Sequence, residues 1–275
     1  MIRLVALLLL LTPSLAEAKI PWKKLEGGDD LMSNEKETAA KVMKGFPLYH
    51  GCKGTITRCL KKKPAIKSAW RLANYVVFLV GKGLDEKEVN KVLELRRQSA
   101  RPKKIHTISV AGVPRRGKAK AKVTIVEYAD FRCGHCALLG PIVKSVLAKK
   151  GDQVTLYFKP YPLRPGESVI AAIAALAAHR QGKFWKMHDL LFANPELHSK
   201  AGVETLAKRA GLDLGRFRAA MKDRNVLKQI DKNKIEGLRL GIKGTPTLFV
   251  NGKRYKLRKD RRHISERIDE ELEMN

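Results

Sequence analysis

Val123-Thr124-Ile125-Val126-Glu127-Tyr128-Ala129-Asp130-Phe131-Arg132-Cys133-Gly134-His135-Cys136 is the stretch from which the fold is read. Residues 123 to 129 are rich in β-branched types and follow a basic, glycine-containing turn, the pattern of a buried strand. Beyond the second cysteine, Leu138, Leu139, Ile142, Val143, Val146 and Leu147 recur at helical spacing until Gly151, which serves as the stop. The Cys-x-x-Cys pair therefore sits at a strand-to-helix junction. Free backbone N–H groups and the positive end of the helix dipole both favour an anion in that first turn. A thiolate is such an anion, and it is the reactive form of cysteine. Cys133 reads as the exposed nucleophile and Cys136, one turn further in, as the buried resolving thiol. His135 between them adds positive charge beside the thiolate and lowers its pKa further.

At the start of the chain, Arg3, the apolar run Leu4 to Leu11 and Ala16-Glu17-Ala18 have the order of a cleaved signal peptide over residues 1–18. The run is about half the roughly 20 residues needed to span a bilayer. No cysteine follows the cleavage site, so a lipid anchor is not indicated there. The mature protein is expected to be soluble in the periplasm or secreted. Its remaining length suggests two domains. Lysine and arginine number 56 against 27 acids, a formal charge of +29, concentrated at Lys61-Lys62-Lys63, Arg115 to Lys122 and Lys253 to Arg262. Outside the cytoplasm an anionic envelope surface, membrane phosphates or acidic clients are the possible partners; a solvated basic surface with no dedicated ligand is the alternative. Aromatics make up only 6%, so nucleic acid is not expected as a partner.

Four cysteines in an exported chain invite pairing by proximity, Cys52 with Cys59 and Cys133 with Cys136. Seven helical steps would hold two Cα atoms roughly 10 Å apart, beyond disulfide reach, so a Cys52–Cys59 bond requires Cys52 to lie in a loop before the helix. A structural disulfide, a second redox pair and unpaired thiols all remain open. His50 beside these cysteines lacks a fourth ligand, and His179, His188, His198 and His263 have no partners at metal-ligand spacing, so neither a metal nor a cofactor is expected. Residues 19–34, with Gly27-Gly28-Asp29-Asp30, read as a flexible tether. A helical domain follows over 35–100. Ile66, Ala69, Trp70, Ala73, Val76, Val77 and Val80 make one helix face, on which Trp70 reads as core. Gly81 and Gly83 end that helix, and Asp85 caps the next. The unit resembles the three-helix domain of CcmH-type cytochrome c maturation proteins. That family carries Cys-x-x-Cys, whereas six residues separate Cys52 from Cys59, so the resemblance implies the helical fold alone.

Arg101-Pro102-Lys103-Lys104 marks a boundary. Ile105 to Val110 alternates as an opening strand of a second domain over 105–275. Val154 to Phe158 is a further strand, an amphipathic helical block covers about 165–240, and Thr247 to Val250 returns to strand. Asn251-Gly252 then signals a hairpin into Lys253 to Leu257, and Ile264 to Leu272 closes the chain as a helix. This order is α/β, a thioredoxin fold with a helical insertion, preceded by a small all-α domain. Residues 126 to 136, Phe-Lys-Pro-Tyr-Pro-Leu at 158 to 163, Gly-Lys-Phe-Trp-Lys-Met-His-Asp-Leu-Leu-Phe at 182 to 192 and Gly-Ile-Lys-Gly-Thr-Pro-Thr-Leu-Phe-Val-Asn-Gly at 241 to 252 together resemble the DsbA-like thiol:disulfide oxidoreductases, over about 105–273.

The resemblance implies roles. Glu127 takes the place of the family's buried acid, which passes protons to and from Cys136. Thr245-Pro246 matches the cis-proline loop that offers backbone groups to an extended client. Pro141 matches the proline that kinks the active-site helix. The implied activity is disulfide exchange with reduced or unfolded secreted proteins, as an oxidase reoxidised by a membrane redox partner. Isomerase and dedicated reductant in cytochrome c maturation are the enzymatic alternatives. A basic envelope-binding protein with a merely structural Cys133–Cys136 bridge is the alternative of another class.

Overall fold

A computed structural model describes residues 20 to 274, so the expected leader lies outside the described residues. These residues form two compact units that divide between Lys91 and Val92.

The first unit is helical. Residues 20 to 34 pack onto it and are not a loose tether: a 3-10 turn at Trp22–Lys24 precedes Leu25 and Leu31, both buried, and Glu26 N donates to Asn74 Oδ1 at 3.1 Å. The segment has few apolar residues, but Ile20, Leu25 and Leu31 are buried, and only Met32 among its large aliphatic side chains is exposed. Helices α1 (Ser33–Gly45), α2 (Ile56–Leu60) and α3 (Lys67–Val80) follow, and α4 (Glu86–Ala100) begins here. Thr55 caps α2, its hydroxyl accepting from Arg58 N. Cys52, in the loop before α2, is bonded to Cys59 within it, with Cα atoms 6.1 Å apart. The loop position supplies the reach that a continuous helix would deny. The division between the units falls inside α4, upstream of Arg101-Pro102.

In the second unit, the C-terminal part of α4 is held by buried charge. Arg96 Nε donates to Glu270 Oε1 at 2.6 Å and Nη1 to Glu266 Oε2 at 2.5 Å. Beside it Arg267 pairs with Glu271, and its Nη2 donates to Ser99 O at 3.2 Å. Removing one member of such a set leaves an uncompensated buried charge, which costs about 3–5 kcal/mol.

Strands β1 (Arg115–Arg116), β2 (Val123–Ala129), β3 (Val154–Pro160), β4 (Thr247–Val250) and β5 (Lys253–Arg254) form one sheet in the order β1-β3-β2-β4-β5. Strands β2 and β3 run parallel, from Val123 opposite Val154 to Ala129 opposite Pro160; the other pairings are antiparallel. Central β2 is covered on both faces, which is why it reads as a continuous apolar run and not as an alternating one. Val123 and Ile125 pack with Leu139, Val143 and Val146 of α5 (Gly134–Lys150). Val126 and Tyr128 pack with Tyr157, Tyr161 and Phe249 on the other side.

The helical insertion comprises α6 (Glu167–His179), α7 (Phe184–Ala193), α8 (Lys200–Arg209), α9 (Leu214–Lys222) and α10 (Arg224–Arg239), with side-chain caps at Ser199, Asp213 and Asp223. Residues Ala171 to Ala178 of α6 are buried throughout, and the alanines among them let neighbouring helices approach closely. The shared core includes Ala129, Phe131, Cys136, Phe158, Phe184 and Met187. The last helix, α11 (Arg261–Met274), packs on α5, where Lys150 Nζ meets Asp269 Oδ1 at 2.6 Å.

Two expectations fail at the sheet edge. Ile105 to Val110 forms no strand; its ladder is the single bond from His106 N to Gly252 O, 2.9 Å. The neighbouring β5 stops at Arg254 instead of reaching Leu257, so the edge is too short to pair a sixth strand. The hairpin itself forms, with Asn251 at φ 47° and Gly252 at φ 74°, both in the left-handed region that this turn demands. A Cβ at Gly252 would lie 2.3 Å from His106 O, so glycine is required there for space as well.

Candidate active site

Where β2 ends, Asp130 builds the turn. Its carboxylate accepts from Arg132 N at 2.9 Å and Leu163 N at 2.8 Å, while its carbonyl accepts from Cys133 N at 3.0 Å. The chain is thereby delivered to α5 with Cys133 at the N-cap. The Cys133 carbonyl in turn accepts from Cys136 N at 3.0 Å and Ala137 N at 3.1 Å, closing the first helical turn.

Cys133 is partly exposed and Cys136 fully buried, and both thiols are free. Across from them Thr245-Pro246 is a cis peptide, and Thr245 O accepts from Cys133 Sγ at 3.4 Å. The buried Thr245 hydroxyl makes no hydrogen bond among the described residues in this geometry, which leaves it to donate to a sulfur once one is ionised.

Environment separates the two thiols. Partial burial raises Cys133, but hydrogen bonds from Thr245, from Cys136 and from the His135 backbone outweigh it and hold the thiol below its ordinary value. Burial dominates at Cys136 and pushes it far up, despite hydrogen bonds from the Asp130 backbone and Thr245. The support from His135 comes through its peptide N–H; the imidazole ring is exposed.

Glu127 is buried in the middle of β2, opposite Phe158 and Leu248. Side-chain alternation puts it on the α5 face with Ile125 and Ala129. Burial raises its pKa to about 8, so the carboxyl is mostly protonated at neutral pH. The opposite face carries a group that sequence reasoning missed: buried Lys159 pairs with Glu236 of α10, which also accepts from Tyr128 Oη at 2.5 Å. A charged Lys inside an apolar strand gives no sign of its partner 77 positions away.

Beside Cys133, Phe131, Ala137, Phe192, Pro195 and Glu167 line an open cleft of about 640 Å³. Arg132 shapes its rim, donating to Pro195 O at 2.6 Å and meeting Glu167 at 3.2 Å. Ala137 and Phe192 continue into a second hollow of about 310 Å³ against Pro141, Lys144 and His188. Buried His188, bonded to Asp189 Oδ1 at 2.8 Å, is packed among Phe158, Trp185 and Phe192 and has its pKa lowered by burial. Nothing in the sequence marks Asp130 as the anchor of residue 163, 33 positions away. Among the described residues no group of three or more His, Cys, Asp or Glu side chains is arranged to hold a metal ion.

The thioredoxin family model matches residues 110–270, more than half of the chain. The chain belongs to the thioredoxin family. The solved structures it resembles share the thioredoxin-like fold, among them a thiol-disulfide exchange protein, alpha-DsbA2 from Wolbachia pipientis, 20% identical with a TM-score of 0.52, covering 66% of this chain and 94% of that one. A thioredoxin-like oxidoreductase from Silicibacter pomeroyi DSS-3 is 26% identical, with a TM-score of 0.55, covering 59% of this chain and 93% of that one. BdbD from Bacillus subtilis, in its oxidised form, is 25% identical, also at 0.55, covering 62% and 97%. Among curated relatives, the Na(+)/H(+) antiporter NhaA 3 of Salinispora tropica is 39% identical over 142 residues, or 51% of this chain. The match spans only 22% of that antiporter, so most of the relative's length has no counterpart in it. No described helix is long and apolar enough to cross a membrane.

Proposed function

We propose that this thioredoxin-family protein is an extracytoplasmic thiol:disulfide oxidoreductase that oxidises secreted proteins through Cys133 and Cys136. The observation that carries the reading is the asymmetry of the pair: an accessible thiol held below its ordinary pKa at a helix start, facing a cis-proline loop, over a buried thiol held above it.

In the oxidising direction a client thiolate attacks Cys133 Sγ of the Cys133–Cys136 disulfide. A mixed disulfide forms and Cys136 leaves, taking a proton because its buried thiolate is unfavourable. Glu127, protonated at neutral pH on the same face of the sheet, is the proton source assigned to that step. A second client thiolate then attacks the client sulfur, the client disulfide forms, and Cys133 departs as a stabilised thiolate. Two electrons have passed to the enzyme dithiol, which a membrane redox partner reoxidises. Stabilising the Cys133 thiolate stabilises the reduced form and so makes the disulfide more oxidising. The Thr245 to Pro246 loop is assigned to client binding, since main-chain hydrogen bonds accept many sequences. The leader expected over residues 1–18 and the Cys52–Cys59 bond support an oxidising compartment.

Equilibration of the pair with glutathione tests the direction. A potential near the oxidising end of the roughly −270 to −120 mV span supports the oxidase, and one near the reducing end overturns it in favour of a reductant.

A further inference from the structure

Helix α10 turns an unusual face to solvent. Among the described residues seven large hydrophobic side chains are exposed, and three of them, Leu227, Ile235 and Leu238, lie on this helix at 40%, 51% and 67%. At about 3.6 residues per turn their directions fall within about 80° of one another, so they form one ridge. The other side of the helix is buried through Val226, Ile230, Asn233 and Gly237. A fourth exposed hydrophobic adjoins the ridge: Lys234 Nζ donates to Pro162 O at 2.7 Å, and the next residue, Leu163, is 44% exposed. Exposed apolar residues scattered singly are ordinary, but four of the seven gathered around one helix mark an interaction surface.

Charge identifies the partner. Arg224, Lys228, Lys232 and Arg239 are exposed along the flank of the ridge, and none of the four is paired with an acid among the described residues. Of the two acids in α10, Glu236 is bound to Lys159 and Tyr128, which leaves only Asp231 against the four cations. None of these cations belongs to the three basic runs of the sequence; the helical period is what assembles them. An apolar ridge beside a strip of cations matches a phospholipid surface, in which phosphates lie next to acyl chains. Lys and Arg carry their charge on long apolar stems, so they reach the headgroups while the leucines and isoleucine enter below them.

We propose that α10 docks on an anionic phospholipid membrane, with Leu227, Ile235 and Leu238 at the acyl boundary and the four cations at the phosphates. Leu163 N donates to Asp130 Oδ2, so the patch borders the turn that carries Cys133, and docking holds that turn beside the membrane. The proposal concerns binding and does not rest on the redox reading.

Flotation of the purified protein with phosphatidylglycerol-containing vesicles, against vesicles of phosphatidylcholine alone, tests it. Binding is expected to be at least about tenfold stronger on the anionic vesicles, and to weaken as salt rises from about 0.1 M to about 1 M and screening shortens. The pair Ile235→Ser, Leu238→Ser should weaken it by about tenfold or more, because two apolar anchors are lost. The pair Lys228→Gln, Lys232→Gln should weaken it by a similar factor. All variants share one N-terminus, so the differences report on α10, and an unchanged urea midpoint shows that they fold. Equal binding to both vesicle types, or none to the anionic ones, would overturn the proposal. So would undiminished binding of the serine pair, which assigns retention to the diffuse charge of the whole surface. Gel filtration without lipid should give a monomer; a dimer that the serine pair dissociates assigns the ridge to a second copy and sinks the membrane reading.

Discussion

The two cysteine pairs share one chain and one residue type, and each sets a partly exposed cysteine before a buried one, yet their bonding and the groups placed around them differ. Cys52 and Cys59 are bonded to each other across a loop and the first turns of a five-residue helix. Cys133 and Cys136 stand as a dithiol at the start of a 17-residue helix, one sulfur half-exposed and the other buried. In the first pair Cys52 is partly exposed and Cys59 buried, and each sulfur is taken up by the bond to the other. Around the second, Asp130, Thr245 and the helix start act on the two sulfurs unequally. The contrast shows that reactivity here comes from groups arranged about the sulfur and not from the presence of paired cysteines.

The sharpest way to break this contrast is Cys133→Ser. Oxidation of a reduced, unfolded client should fall by about a thousandfold or more, as expected when a covalent nucleophile is removed. Replacing Cys52 and Cys59 together by serine should leave the same rate within about twofold. If both replacements abolish the rate, the pairs are not functionally distinct.

Glu127→Gln asks whether the active pair alone is supported by a buried acid. The folded pKa of about 8 lies above the ordinary 4.5, so the folded state retains a proton that the unfolded chain releases between those values. Stability therefore falls as pH rises from about 4.5 to 8. Glutamine removes that loss, and the variant should gain stability with pH, reaching about 3 kcal/mol at pH 7 while exchange slows. Urea unfolding at pH 5 and pH 7.5 measures it. A gain of equal size at both pH values would show that Glu127 is not the titrating group.

The Cys52, Cys59 double serine variant should lose about 2.5 kcal/mol of stability, the loop-closure contribution of a short disulfide loop. Urea unfolding followed by circular dichroism reads the loss; none would mean that the bond does not restrain the unfolded chain. The smallest effect is expected from Thr245→Val, which removes the hydroxyl that favours both thiolates. Alkylation of Cys133 by iodoacetamide at pH 6 should slow by about threefold. An unchanged rate would assign the low thiol pKa to the helix start alone.

The strand, the Cys-x-x-Cys turn and α5 were legible because periodicity, β-branched content and the glycine stop all agree. The Asn251-Gly252 hairpin was legible because only certain residues tolerate its backbone. Other features depend on what lies across the fold. Ile105 to Val110 has the alternation of a strand but meets an edge only two residues long. Residues 20 to 34 look loose by composition but place Leu25 and Leu31 inward. Trp70 falls on an apolar helix face, yet its indole nitrogen is buried with no hydrogen-bond partner among the described residues. The buried pairings of Arg96 and Lys159 leave no trace in the sequence, because their acids, Glu270 and Glu236, are 174 and 77 positions away.

The contact between Cys133 and Thr245 also orders events in time. The two residues are 112 positions apart, with the whole helical insertion between them. A chain emerging N-terminus first exposes Cys133 and Cys136 well before β4 exists, and closing so long a loop is a late step in folding. During that interval the thiol lacks the Thr245 share of its activation. The growing polypeptide thus travels with cysteines closer to ordinary reactivity, and the full reagent is armed only when the end of the chain folds back.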